Sequence, residues 1–169
     1  ALARESAVKS IVMLKNENNL LPLPKQGKKI ALIGPFGSDT RNLNGAWSPF
    51  SAETPSVPLD SAFRHALEDP SLLTVIMGCD IDAPIQGGIE QALSAAHAAD
   101  VVVLALGESE NMTGESRSRT ELTLPSVQME LAEALAATGK PLVVLLRNGR
   151  ALTLQGAVRD ASSILLTWY

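Results

Sequence analysis

The run Val101-Val102-Val103-Leu104-Ala105-Leu106 constrains this chain more than any other segment. It lacks the apolar–polar alternation of a half-exposed strand, and it is far shorter than the ~20 residues of a membrane-crossing helix. Continuous apolar character of this length suits a strand covered on both faces of a parallel sheet. Shorter runs of the same kind recur at Ile30–Ile33, closed by Gly34-Pro35, and at Leu72–Met77, Pro141–Leu146 and Ile164–Thr167. Between them lie helical patterns at Ser61–Glu68, Ile89–Ala99 and from Pro125 to about Ala137, the last opened by proline and closed by Gly139. Ahead of them, Ala3–Leu14 places Ala7, Val8, Ile11, Val12 and Leu14 mainly along one helical face. Asn16, Asn18, Asn19 and the Pro22/Pro24 pair end that helix. The alternation predicts an α/β fold: a three-layer sandwich with a mostly parallel central sheet and helices on both faces.

The sequence has 169 residues, enough for one hydrophobic core. The expected organisation is a helix and linker over 1–24 leading into an incomplete α/β sandwich over 25–169, together one structural unit. The chain begins inside what reads as a helix already under way and stops at Trp168-Tyr169 directly after an apolar run. An excised piece, truncated at its C-terminus, is therefore expected. An apolar share of 46% with 19% charged residues belongs to an ordinary globular protein. The net charge is −4 and the 14 Lys and Arg residues are scattered, so no nucleic-acid partner is expected. No membrane span is expected either. Cys79 is the sole cysteine, and His65 and His97 stand far apart in helical patterns. No metal site and no cofactor is therefore expected.

In a parallel sheet, ligands gather beyond the carboxyl ends of the strands. The loops after Ile33, Met77, Leu106 and Leu146 are the candidates. The loop Gly107–Thr123 carries Glu108, Glu110, Glu115 and Glu121 beside Arg117 and Arg119. A glycosidase needs one carboxyl group as acid and another as nucleophile or base, and this loop holds carboxyls that suit either role. The same composition also describes a solvated, salt-bridged loop. The Phe36–Pro58 loop carries Trp47, whose indole suits either stacking on a sugar ring or plugging a surface where another domain docks. Gly34-Pro35-Phe36-Gly37 is similar in part to a nucleotide-binding turn, but it lacks the full glycine spacing, and Pro35 removes an N–H that a phosphate would use.

The segments Arg4 to Leu23, Ile30 to Pro35, Asn44-Gly45-Ala46-Trp47-Ser48, Gly107-Glu108, Glu115 to Pro125, Gly139-Lys140-Pro141 and Asn148-Gly149-Arg150 together resemble the second domain of family 3 glycoside hydrolases, the β-glucosidase and β-xylosidase group. The likeness covers nearly the whole chain and is strongest to bacterial periplasmic β-glucosidases. It implies a retaining β-glycosidase, of β-glucosidase type, acting on β-glucosides or related oligosaccharides. Its nucleophilic aspartate would lie in an upstream (β/α)8-type barrel of the same protein. The resemblance further implies that Glu115 is the acid/base and that Trp47 and Ser48 lie near the sugar. Glu108, Arg117 and Arg119 would support the loop. It suggests a periplasmic or secreted parent, with a cytoplasmic one also open, and a fragment inactive by itself. The rival reading is a non-catalytic carbohydrate-binding or protein-interaction domain of the same fold.

Overall fold

The computed structural model describes residues 2–48 and 56–169, so 49–55 of the expected Phe36–Pro58 loop lie outside the described residues. Its centre is a six-stranded sheet in the order β1-β6-β5-β4-β2-β3. The strands are β1 (Val12–Asn16), β2 (Ile30–Ile33), β3 (Leu73–Ile76), β4 (Val101–Gly107), β5 (Leu142–Arg147) and β6 (Ser163–Leu166). Strands β2 to β6 run parallel, and only β1 pairs antiparallel, against β6. The helices are α1 (Leu2–Ser10), α2 (Leu59–Ala66), α3 (Gly88–Ala98), α4 (Ser126–Ala136) and the short α5 (Gly156–Asp160). The chain is thus an α/β sandwich around a mixed, mostly parallel sheet.

The apolar runs become strands because both of their faces are covered. Every residue of β4 is buried, and its side chains alternate between two cores. Val102, Leu104 and Leu106 pack with Ala31, Ile33, Val144 and Leu146 beneath α3, α4 and α5. Val101, Val103 and Ala105 join Ile30, Leu32, Phe36 and Val143 on the other side, where Leu59 and Phe63 of α2 and the Leu20–Leu23 segment pack. On that second side Leu21, Pro22, Leu23 and Phe63 border an apolar groove of about 420 Å³ floored by Val103, Val143, Leu145 and Leu165. Small residues set how closely the first layer approaches the sheet: α3 turns Gly88, Ala92, Ala95 and Ala96 inward. A Cβ at Gly88 would lie 2.1 Å from the Gly78 carbonyl oxygen, so only glycine allows the helix to start there.

One expected element is different. The helix expected over Ala3–Leu14 ends at Ser10, and Val12–Asn16 is a strand. None of the residues of α1 is buried, so its apolar side chains gain nothing from helical packing within the described residues. The apolar residues beyond it pair instead with β6, Val12 with Leu166 and Asn16 with Ser163, across a bulge between Met13 and Lys15. Asn16 also closes the turn that follows: its Nδ2 donates to the Leu21 carbonyl and its Oδ1 accepts from the Leu21 N–H, both at 3.0 Å.

Sheet order places a reversal between β2 and β4. From β2 the chain moves outward to β3 through α2 on one face, and from β4 it moves the opposite way to β5 and β6 through α4 and α5 on the other. Loops leaving β2 and β4 therefore diverge, and a crevice opens between them at the carboxyl edge. Cys79 lies after β3 in a bridge with Pro84 and is buried. Desolvation, then the Asp80 and Glu130 carboxylates, pushes its thiol up to about 11. At about pH 8 this leaves roughly 100-fold less thiolate than an ordinary thiol has, so a thiol reagent should modify folded Cys79 at least ~100-fold more slowly than the denatured chain. Equal rates would mean that the turn around Cys79 opens freely.

Candidate active site

Three loops and the chain's last residues meet at the carboxyl edge of the parallel strands. Gly107 ends β4 with φ 152°, and a Cβ there would lie 1.8 Å from the Arg147 carbonyl oxygen. Only glycine lets the backbone turn away so close to β5. Gln128 fixes this turning point. Its Oε1 accepts from the Gly107 N–H at 2.8 Å, and its Nε2 donates to the carbonyls of Gly107 at 2.9 Å and Ile81 at 2.7 Å. Gln128 is fully buried on the face of α4 that also carries Leu131, Ala132 and Leu135.

The next residue, Glu108, is also fully buried. Its Oε1 accepts from Arg119 at 2.9 Å, while its Oε2 lies 3.4 Å from Arg150 Nε, an ion-pair contact without hydrogen-bond geometry. Tyr169 donates to the Ser109 carbonyl at 3.1 Å, and burial and the nearby Glu108 push its phenol up to about 12. The Glu110 N–H donates to Asn42 at 2.9 Å, and the Glu110 carboxylate pairs with Arg41 at 3.2 Å. Beneath these, buried Arg147 pairs with Asp39 at 2.8 Å and lies 5.0 Å over the ring of Phe36. Burial draws the Arg147 pKa down, and the Asp39 carboxylate opposes that pull.

Glu115 stands at the far end of the loop, exposed to solvent. It sits between Gly114 at φ 113° and Ser116 at φ 59°, in a tight turn that leaves its side chain in solvent. Ser116 holds a left-handed conformation that costs a non-glycine residue roughly 1–2 kcal/mol. Arg117 folds back inside the loop, donating to Asn111 at 2.7 Å and to the Glu110 carbonyl at 3.2 Å. Among the described residues, neither Arg117 nor Arg119 forms an ion pair with Glu115.

The loop after β2 meets this turn. A Cβ at Gly114 would lie 2.9 Å from that of Ala46, so the Glu115 turn rests against the segment carrying Trp47. The Trp47 indole is 72% exposed, an unusual state for so large an apolar ring. Ser48 donates to the Asn44 carbonyl at 2.7 Å, which holds the Trp47 turn in shape. A polar depression of about 330 Å³ lies alongside, between Gly114, Ser116 and Ser118 on one loop and Gly149 and Arg150 on the next. The structure thus brings Glu108, Glu115, Arg117, Arg119, Trp47 and Ser48 to one edge.

Sequence reasoning did not find Gln128, Arg147, Asp39, Arg150 or Tyr169. Gln128 left a signal: a lone polar residue in the 128, 131, 132, 135 stripe of α4 must find buried partners. Arg150 stood in the Asn148-Gly149-Arg150 segment of the family likeness without a role of its own, and Arg147, Asp39 and Tyr169 act across long sequence separations that leave no local signal. His65 and His97 are exposed helix residues, and no group of three or more metal-ligating side chains occurs among the described residues. No helix among them is long and apolar enough to cross a membrane.

The periplasmic beta-glucosidase of Salmonella typhimurium is 38% identical over 99% of this chain and 24% of its own length. A beta-xylosidase of Formosa agariphila is 40% identical, again over 99% of this chain and 24% of that protein. The crystal structure of a beta-glucosidase from Listeria innocua in complex with gluconolactone superposes with a TM-score of 0.88 at 31% identity, covering 98% of this chain and 22% of that one. Fold and relatives together define an α/β sandwich of the glycoside hydrolase class. The chain belongs to glycosyl hydrolase family 3, whose C-terminal-domain model matches residues 11–169. It spans about a quarter of the length of the relatives it matches.

Replacing Gln128 by Ala would leave the Gly107 N–H and two carbonyls without their partner. The expected loss is about 1–3 kcal/mol of stability, read as a lower denaturant midpoint at unchanged slope. An unchanged midpoint would show that the strand end does not depend on this side chain.

Proposed function

We propose that this chain supplies the acid/base carboxylate, Glu115, to a retaining β-glycosidase whose site is completed by a (β/α)8-type barrel elsewhere in the parent protein. One observation carries the reading. Of the carboxylates that open the loop, Glu108 and Glu110 are held in ion pairs, whereas Glu115 is presented to solvent at a tight turn beside an exposed indole. Glu121 is also exposed, but it lies on the limb returning to α4, where the neighbouring Leu122 carbonyl accepts from Thr153 at 2.6 Å.

The chemistry runs in two steps. In the first, Glu115 gives its proton to the glycosidic oxygen as the bond to the anomeric carbon breaks, and an aspartate of the barrel forms a covalent bond to that carbon. In the second, the Glu115 carboxylate takes a proton from water as the water oxygen attacks the same carbon and releases the aspartate. Trp47 offers a stacking face for a sugar ring next to the acid, with Ser48 holding its turn. The named relatives support β-glucosides or β-xylosides as substrates, and the periplasmic relative supports a periplasmic or secreted parent. The fragment alone is inactive, since one carboxylate cannot both form and break the covalent intermediate.

The test uses the full-length parent, its Glu115→Gln form, and paired aryl β-glycosides with good and poor leaving groups. The poor leaving group should lose about 10²-fold or more in kcat/KM and the good one far less, because only the poor one needs a proton to depart. Equal losses, or none, would remove Glu115 from the acid role and favour a non-catalytic binding domain or another glutamate of the loop.

A further inference from the structure

We infer that Arg150 is the positioning residue of the acid/base loop: a single guanidinium that ties both limbs of the Glu115 turn to the buried strand-end carboxylate of Glu108. The inference rests on the reading of Glu115 as acid/base. Arg150 stands in the turn after β5, which is pressed against the Glu115 loop. A Cβ at Gly149 would lie 2.5 Å from Thr113 Oγ1, so no larger residue fits between them. Asn148 Nδ2 donates to the Arg150 carbonyl and holds the turn's shape. From there one terminal nitrogen of Arg150 donates to the Met112 carbonyl on the outgoing limb and to the Arg117 carbonyl, at 3.2 Å, on the returning limb. Its Nε faces Glu108 Oε2 at 3.4 Å.

The other anchors either hold one limb or are part of the loop: Arg117, on the returning limb, donates to Asn111 and to the Glu110 carbonyl on the outgoing one. Tyr169 and Asn42 grip residues 108–110, and Arg119 joins the returning limb to Glu108. Among the described residues outside the loop, Arg150 alone donates to the backbone on both sides of Gly114–Ser116. A retaining mechanism needs its two carboxyl groups about 5–5.5 Å apart, and a misplacement of about 1 Å costs roughly 10²-fold in rate. The acid therefore needs a fixed base at the foot of its turn. A planar guanidinium reaches a carboxylate and two carbonyls at once, which the point charge of lysine does not. Arg150 touches no member of either apolar core through these bonds, so its loss should displace the turn and leave the sheet intact.

The experiment is a double-mutant cycle in the full-length parent, combining Arg150→Lys with Glu115→Gln and using the same two aryl β-glycosides. Arg150→Gln serves as a second variant, and thermal unfolding of each is recorded. Arg150→Lys should lower kcat/KM about 10- to 100-fold for the poor leaving group and only a few-fold for the good one. In the Glu115→Gln background the added Arg150→Lys change should have almost no effect, because the group it positions is already gone. Equal losses on both substrates, or losses that multiply across the cycle, would overturn the inference and place Arg150 in the service of the fold or of a domain contact. If Glu115→Gln alone discriminates poorly between the substrates, the acid/base assignment has failed. The positioning role then falls with it, and the single glutamate variant identifies that cause.

Discussion

A carboxylate buried to 0% exposure at the end of β4 is an expensive object, and the arrangement of the functional edge follows from how its charge is met. Moving such a group out of water costs several kcal/mol after relaxation, and the cost is recovered only if cations meet it in good geometry. Glu108 draws Arg119 from the returning limb of its own loop and Arg150 from the turn after β5. Both arginines would be free to wander on an open surface. Here the demand of one anion fixes them, and their remaining donors are then available to the loop backbone. Removal of either cation would leave that buried charge facing a single partner.

The same logic extends one layer down. Arg147 is buried at the end of β5, between the Asp39 carboxylate and the face of the Phe36 ring. Asp39 in turn accepts from the backbone and side chain of Asn42, whose own oxygen receives the Glu110 N–H. A continuous polar path therefore runs from the loop after β2 to the loop after β4, across the reversal of the sheet. Polar networks of this kind are favourable only when their members are mutually satisfied. The crevice at the sheet reversal thus has a floor of definite shape.

Much of the fold was legible because burial on both faces leaves a local mark. The apolar runs at 30–33, 101–106 and 141–146 announced strands without help from alternation; Gly34-Pro35 closed the first, and Pro125 and Gly139 bounded the helix between the last two. Val12-Met13-Leu14 misled for a physical reason: after Val8 and Ile11 these residues continue a helical spacing, and what makes them a strand is pairing with β6, far away in sequence. The edge of the candidate site was likewise readable from strand ends and a glutamate-rich loop. Its internal wiring was not, since Asp39 with Arg147 and Glu108 with Arg150 become neighbours only after the sheet has formed. Gln128 is the exception that could have been found, as a polar residue in an otherwise apolar helical stripe.

The antiparallel pairing of β1 with β6 carries a consequence for how the protein is made. Val12 meets Leu166, so among the described strands the earliest to leave the ribosome is docked by the latest. At typical synthesis rates, the roughly 150 residues between them take on the order of 10 s to appear. Until β6 appears, Val12, Met13 and Leu14 lack the partner they have in this sheet, while β2, β3 and β4 can pair with one another as each emerges. The sheet is therefore built outward from its middle during translation, and the apolar N-terminal strand is the stretch with the longest exposure to chaperones before closure.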